Sequence, residues 1–100
     1  MELQKRKLLT IITESSLESA IIKAIKQLGA KGYTLVNAQG EGARGVRKGD
    51  WDENRNIIIQ TVCKEDVAHR IMDYLYNTYY DDYAMIAHLS DIEIHRPEKF

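Results

Sequence analysis

The sequence predicts an α+β fold with four strands and two helices, and three features of its 100 residues lead to that expectation. Four short runs rich in Ile, Val, Leu and Thr are separated by segments with an apolar residue at every third or fourth position. Hydrophobic residues make up 44% of the chain, which is enough for one core but not for two. A single glycine-rich stretch separates the second strand from the third. We therefore expect residues 1–100 to form one domain.

The first strand and the first helix have the clearest signals. The run Lys7–Thr13 is short, β-branched and apolar on both faces, which predicts a central strand. Ser15 and Glu18 stand three residues apart just before an apolar helical stripe, which is typical of a capping box. We expect the helix to stop at Gly29, because glycine readily adopts the left-handed conformation that ends helices.

The remaining elements complete a recognisable order. The last strand, Ala84–Ile94, begins with apolar residues on both faces, which indicates that it is buried. Strand, helix, strand, strand, helix, strand is the order of the ferredoxin-like fold, an antiparallel sheet with two helices on one face. The predicted strands are Tyr33–Ala38, Asn56–Cys63 and Ala84–Ile94, and the second helix runs from Glu65 to near Asp81 or Asp82.

Two helices on one face leave the other face of the sheet uncovered. We expect this face to carry Leu8, Ile57, Ile59 and Leu89, an apolar patch too large for a monomer, so the sequence predicts self-association. Five tyrosines near the end of the second helix also bear on self-association, because only some of them can point into the core of one domain. A subunit interface or a half-exposed helix surface would accommodate those that do not enter the core. They are Tyr74, Tyr76, Tyr79, Tyr80 and Tyr83.

Composition and charge exclude several classes of function. The net charge is −1, from 14 basic and 15 acidic residues, which argues against binding nucleic acid or an anionic membrane through overall charge. No apolar run approaches the roughly 20 residues of a membrane span. We expect a cytoplasmic protein without direct membrane insertion.

The sequence also gives no sign of a metal or catalytic site. His69, His88 and His95 are dispersed and lack the spacing of metal ligands. Cys63 is the only cysteine, and it lies in an apolar run without the strand-turn-helix elbow of a nucleophile. We expect a buried thiol, no bound metal and no enzymatic activity.

The connection Asn37–Asn56 is far longer than the roughly two to five residues that a hairpin needs. It matches G-x-G-x-x-G, but no amphipathic helix follows, so a dinucleotide-binding unit is excluded. Glycines allow backbone N–H groups to approach an anion closely, and arginines can bind it bidentately. The alternative is a solvated loop without a ligand. The expected anion contacts are Arg44 and Arg47, together with backbone N–H groups of the glycine-rich segment.

The second half of this connection has a different character. Lys48 and Trp51 lie in a polar stretch, where burial of Trp51 within its own domain is not expected. An exposed tryptophan is a frequent anchor in protein interfaces. We predict that Lys48 and Trp51 contact a partner protein, although Trp51 folding back over the loop is an equal alternative.

Four segments together resemble the PII-like signalling proteins, in particular the cyanobacterial branch linked to bicarbonate uptake and the carboxysome-associated branch. Each motif is weak alone, but together they span nearly the whole chain. The segments are Ile12–Glu14, Gly29–Thr34, Gly40–Arg47 and Tyr80–Ala84.

The resemblance implies a homotrimeric, non-enzymatic signalling regulator. An adenine nucleotide would bind in each cleft between subunits at the base of the long loop, called the T-loop, and the T-loop would control a target such as a bicarbonate transporter. The resemblance assigns backbone approach to Gly40 and Gly42 and phosphate contacts to Arg44 and Arg47. The lining of the site before the last strand would be Tyr83, Ala84, Met85 and Ile86.

The chain departs from the family pattern in two places. No Tyr, Ser or Thr occurs between Asn37 and Thr61, so the T-loop has no hydroxyl group to modify. Tyr80–Met85 is acidic, whereas PII proteins hold the outer phosphates there with a Gly-Lys segment. AMP, ADP or cyclic AMP is therefore at least as plausible as ATP. A ferredoxin-like module that binds a small anion or a protein, without nucleotide, is the alternative function.

Overall fold

The computed structural model describes residues 2–40 and 55–100. Their strands form one antiparallel sheet in the order β2-β3-β1-β4, which confirms the ferredoxin-like order predicted from the sequence. The strands are β1 (Gln4–Glu14), β2 (Thr34–Ala38), β3 (Asn56–Cys63) and β4 (Ile86–Ile94), and the helices are α1 (Glu18–Gln27) and α2 (Glu65–Tyr79).

Strand β1 is central, as predicted, because it pairs with β3 on one side and with β4 on the other. It is longer than the predicted Lys7–Thr13, since its first residues pair with the end of β4 beyond the core. Lys7 there forms an ion pair with Asp91. Their hydrogen bond raises the pKa of Lys7 and lowers the pKa of Asp91.

The core lies between the sheet and the two helices. Side chains that alternate along β1 and β3 point to the same face and meet the apolar stripes of α1 and α2. Nine of these residues have no exposed surface: Leu9, Ile11, Ile21, Ile25, Ile57, Ile59, Ala68, Ile71 and Leu75.

Three of the four residues predicted on the uncovered face lie on the covered one, so that part of the prediction is wrong. The strand register pairs Ile59 with Ile11 and Leu89 with Leu9, and it places Ile57 opposite the buried Thr13. Leu8 is on the uncovered face, as predicted. The error arises because β3 is apolar at both odd and even positions, so its own sequence does not show which face packs against the helices.

The uncovered face nevertheless carries an apolar row that crosses all four strands. Ile58 pairs with Val36 and with Ile12, and Ile12 pairs with Ile86. We call these four residues the apolar row. Val36 is 47% exposed and Ile86 57% exposed, because both lie on edge strands. The expectation that β4 is buried from its start is therefore wrong for Ile86.

Helix α1 begins differently from the prediction and ends as predicted. Ser15 lies inside a 3-10 turn and Leu17 occupies the N-cap of α1, so the capping box does not form there. At the other end Gly29 has φ of 119°. The N–H of Ala30 donates to the Ile25 carbonyl at 2.9 Å, which is the Schellman arrangement.

Replacing Gly29 with Ala is expected to lower the free energy of unfolding by about 1 to 3 kcal/mol, because an L-residue is strained at this positive φ. The added Cβ would also lie 3.1 Å from Cγ2 of Val67. Urea denaturation measures the effect. Gly32→Ala is the matched control, since a Cβ at Gly32 meets nothing within 4 Å. Equal losses in the two variants would contradict this account of Gly29.

Candidate functional site

The base of the long loop and the connection between α2 and β4 lie at the same end of the sheet. Strand β2 ends at Ala38, which pairs with Asn56 at the start of β3, and Asn56 pairs with Glu14 at the end of β1. Ile86, at the start of β4, pairs with Ile12 only two residues from that end. The loop thus joins two adjacent antiparallel strands, and residues 80–85 approach the same end of the domain.

These two parts of the predicted site are separated across the width of the sheet. Strands β2 and β4 are the two edge strands, with β3 and β1 between them. Three inter-strand spacings correspond to roughly 14 Å. Within one chain, the residues at the ends of β2 and β4 therefore do not enclose a common pocket.

The predicted loop residues fall into two groups. Gly40 lies two residues after the end of β2, exposed, and a Cβ at its position would meet nothing within 4 Å. Its backbone is therefore open to a ligand. The other five predicted residues of the loop lie outside the described residues, and they are Gly42, Arg44, Arg47, Lys48 and Trp51.

The residues before β4 alternate between core and solvent. Tyr83 and Met85 pack against the hydrophobic core. Ala84 and Ile86 are exposed. Of these four predicted site residues, Ala84 and Ile86 are exposed to solvent, whereas Tyr83 and Met85 are half-buried and hold the segment in place.

A cluster of three tyrosines, Tyr74, Tyr79 and Tyr83, anchors this segment to α2. The hydroxyl oxygens of Tyr74 and Tyr79 are 2.9 Å apart, at hydrogen-bonding distance. The Tyr79 and Tyr83 rings meet edge to face, with their centroids 5.7 Å apart. Tyr79 is only 6% exposed, and its burial, together with the hydrogen bond to Tyr74, raises the pKa of Tyr79 to about 12.

Backbone hydrogen bonds also hold this segment to Tyr79, at the end of α2. The N–H groups of Asp82 and Tyr83 both donate to the carbonyl of Tyr79, each at 3.0 Å.

The sequence left open whether these tyrosines enter the core or lie on the helix surface. Both occur, since Tyr79 is buried whereas Tyr76 is 67% exposed. The helical spacing of Tyr79 from Ile71 and Leu75 is the signal that distinguishes it.

Tyr74→Phe tests the contribution of the tyrosine cluster to stability. It is expected to lower the free energy of unfolding by about 1 to 3 kcal/mol, because it leaves the buried Tyr79 hydroxyl without its partner. Tyr76→Phe removes an exposed hydroxyl and should have almost no effect. The double variant Tyr74→Phe with Tyr79→Phe should regain part of the loss. Urea denaturation measures the free energy of unfolding of all three variants. Equal losses in Tyr74→Phe and Tyr76→Phe would contradict the role of this hydrogen bond.

The segment between α2 and Tyr83 is negatively charged. Asp81 and Asp82 are both exposed. Among the residues that the structure describes, no ion pair involves either carboxylate. The last turn of α2 contains no basic residue that would offset these charges. The negative end of the helix dipole therefore adds to the two negative charges.

The described part of the chain was predicted to hold no metal site, no membrane span and a buried cysteine. Residues 2–40 and 55–100 contain no group of three or more His, Cys, Asp or Glu placed to hold a metal ion. No helix within these ranges is long and apolar enough to cross a membrane. Cys63 is 2% exposed and burial raises its pKa, which confirms the prediction of a buried thiol.

Comparison with known proteins assigns the family. Residues 6–99 match the sequence profile described as Nitrogen regulatory protein P-II. The chain belongs to the P-II family. The match covers nearly the whole chain, and it confirms the resemblance to PII-like signalling proteins that the four sequence segments indicated.

Solved structures agree with the assignment to the P-II family. A protein of Thermus thermophilus described as PII-like and signalling is 45% identical, with a TM-score of 0.86, and the match covers 100% of this chain and 99% of that one. CPII of Thiomonas intermedia, in complex with ADP and bicarbonate, is 25% identical with a TM-score of 0.88, over 99% and 97% of the two chains. Its apo form is 22% identical with a TM-score of 0.80, over 96% and 98%, and it supports the fold alone.

Proposed function

We propose that this P-II family protein is a non-enzymatic signalling regulator that binds an adenine nucleotide between the subunits of a homotrimer. The nucleotide controls a partner protein through the T-loop, residues 37–56. The observation that carries this proposal is the P-II family match over residues 6–99, together with the ADP bound to the CPII relative.

A site between subunits suits the geometry of the single chain. The two parts of the predicted site lie at the same end of the sheet but at opposite edges. A neighbouring subunit would supply the missing wall. The apolar row, exposed at Val36 and Ile86 and half-buried at Ile12 and Ile58, offers the surface on which such a neighbour would pack, because a continuous apolar row on a free face favours association.

The proposed roles of the residues follow the resemblance. Gly40 and Gly42 allow close approach of the backbone, and Arg44 and Arg47 bind phosphate oxygens. Tyr83, Ala84, Met85 and Ile86 form the wall before β4. They do so from a segment that the tyrosine cluster holds in place.

The T-loop would carry the signal to a partner. Lys48 and Trp51 are the proposed contacts, and a membrane transporter such as a bicarbonate transporter is the proposed target. Binding or loss of nucleotide at the base of the loop would change the order of its tip, as in other order-to-disorder switches. The proposed site of action is the cytoplasm.

Isothermal titration calorimetry with AMP, ADP, ATP and cyclic AMP tests the proposed ligand. We expect heat from at least one of them, with one nucleotide bound per chain. Light scattering during size-exclusion chromatography should give three times the 11.5 kDa chain mass. The absence of heat with all four nucleotides would contradict nucleotide sensing.

The second candidate is a small-anion or protein-binding module that holds no nucleotide. The bicarbonate in the CPII relative favours binding of a small anion, although ADP is bound there as well. Under this alternative, bicarbonate alone would give heat in calorimetry while the four nucleotides would not. A requirement for nucleotide before bicarbonate binds would instead support the nucleotide-sensing function.

A further inference from the structure

A row of polar side chains crosses the uncovered face of the sheet beside the apolar row. Gln60 pairs with Thr34 on one side and with Thr10 on the other, and His88 on β4 pairs with Thr10. We call these four residues the polar row. We infer that His88 makes assembly of the subunits sensitive to pH, so that protonation of its imidazole dissociates the trimer. This inference rests on the proposed function and names a regulation of the assembly that its site requires.

The part of the uncovered face around His88 carries no Asp, Glu, Lys or Arg. Three neighbouring rows cross this part: the apolar row, the polar row, and a row in which Leu8 pairs with Val62 and with Ser90. Charged residues make up 29% of the whole chain, yet these rows contain none of them. The Thr, Gln and Ser side chains among them can each donate and accept hydrogen bonds. Such a face suits burial against a second copy of itself, because no charge is left unpaired.

His88 is the only residue of these three rows whose side chain titrates near neutral pH. It is exposed on an edge strand, where Ile86 and Ser90 flank it on the same face and Thr10 lies opposite it on β1. The Thr10 hydroxyl is buried and accepts a hydrogen bond from the Gln60 amide at 3.1 Å. The imidazole thus has only neutral neighbours on its own face.

Two charged residues of the described strands do share this face, at its two ends. Arg6 and Glu14 each stand four residues from Thr10 along β1, which corresponds to roughly 13 Å. Arg6 donates to the carbonyl of Pro97, and Glu14 accepts a hydrogen bond from the hydroxyl of Ser16. Neither lies close enough to neutralise or repel a charge on His88 within one chain.

Protonation of His88 and burial of the face therefore oppose each other. An imidazolium that is covered by a second copy loses its water and meets rows that contain no carboxylate, so burial favours the neutral form. Histidine is the side chain that ordinarily changes its charge between about pH 8 and pH 5. Below about pH 6.5 the free chains consequently bind more protons than the trimer does, and the trimer becomes less stable as the pH falls.

Light scattering over a concentration series of the full chain, at about pH 7.5 and about pH 5.5, tests this inference. One pH unit below the ordinary histidine pKa of about 6.5, each imidazole that must stay neutral weakens assembly about tenfold, or about a thousandfold for three chains. The concentration at half assembly should therefore rise about thirtyfold, because it follows the square root of the trimer dissociation constant. Urea too dilute to unfold the chain, as verified by circular dichroism, brings this equilibrium into the measurable range.

Substitutions of His88 separate its charge from its volume. His88→Gln stays neutral and should remove most of the pH effect, and His88→Asn repeats the test with a second neutral side chain. His88→Lys is charged at both pH values and should dissociate the trimer already at about pH 7.5. His69→Gln and His95→Gln are the matched controls, since both histidines are exposed and lie outside the three rows, and they should keep the pH effect of the parent.

The outcomes distinguish the pH effect from the trimer on which it depends. A pH effect that persists in the parent and both controls but disappears in the neutral variants of His88 supports the inference. A change below about threefold in the parent, an equal pH effect in the neutral variants, or a His88→Lys variant that assembles like the parent overturns it, while the trimer and its nucleotide site stand. A parent that is a single chain at about pH 7.5 overturns the proposed trimer as well.

Discussion

Arg44→Ala combined with Arg47→Ala is expected to weaken nucleotide binding at least about a hundredfold. Charge-assisted hydrogen bonds from a guanidinium to a phosphate contribute about 1.5 to 3 kcal/mol each, so losing two of them is expected to exceed the roughly 2.8 kcal/mol of a hundredfold change. Calorimetry on the parent and the double variant, with the tightest of the adenine nucleotides as ligand, measures the ratio.

The control for this variant removes two positive charges from exposed positions on the helical side of the domain. Lys23→Ala with Lys64→Ala has the same effect on net charge, since both side chains are exposed and lie away from the base of the T-loop. It should bind the nucleotide within about twofold of the parent at moderate salt, where exposed charges are largely screened. A double arginine variant with the affinity of this control would show that Arg44 and Arg47 do not contact phosphate.

Val36→Glu combined with Ile58→Glu is expected to convert the proposed trimer into single chains. Both residues belong to the apolar row, and a carboxylate at each position would have to be buried without a partner when a neighbouring subunit packs on the row. The mass from light scattering should fall to that of one 11.5 kDa chain. Because the proposed site lies between subunits, nucleotide binding should be lost together with assembly.

The control introduces the same two charges at exposed apolar side chains outside the row. Leu3→Glu with Tyr76→Glu suits this purpose, since the side chains are 47% and 67% exposed in the single chain. Circular dichroism verifies that both variants keep their helices and strands. If the variant of the apolar row stays assembled, or if the control also dissociates, the uncovered face is not the specific contact between subunits.

Much of the fold could be predicted because its signals are local. Strand β3 matches the predicted Asn56–Cys63 at both ends, since a change from polar to apolar residues marks each boundary. The stop of α1 at Gly29 was equally predictable, because the Schellman arrangement needs a left-handed residue at that position. The capping box failed because the chain enters α1 through a 3-10 turn, in which the N–H of Ser15 donates to the carbonyl of Arg55 from a distant part of the sequence.

For the candidate site, the sequence predicts residue types, and the structure adds the arrangement of the part that it describes. Glycine and arginine in an oversized connection indicate an anion site from the sequence alone, because their chemistry does not depend on the fold. The tyrosine cluster was not predictable as a unit. Tyr83 reaches the ring of Tyr79 through a helix-like turn beyond the end of α2, in which the N–H of Tyr83 donates to the carbonyl of Tyr79. The sequence did not show that this turn follows the helix.

The sequence by itself determined the order of the elements, the end of the first helix, the position of the long loop and membership of the P-II family. The tertiary structure alone decided which face of β3 packs on the helices, and that the two parts of the predicted site lie at opposite edges of one sheet. The physical reason is strand pairing. A strand that is apolar on both faces fits either register, and only its partners across the sheet fix which face becomes the core.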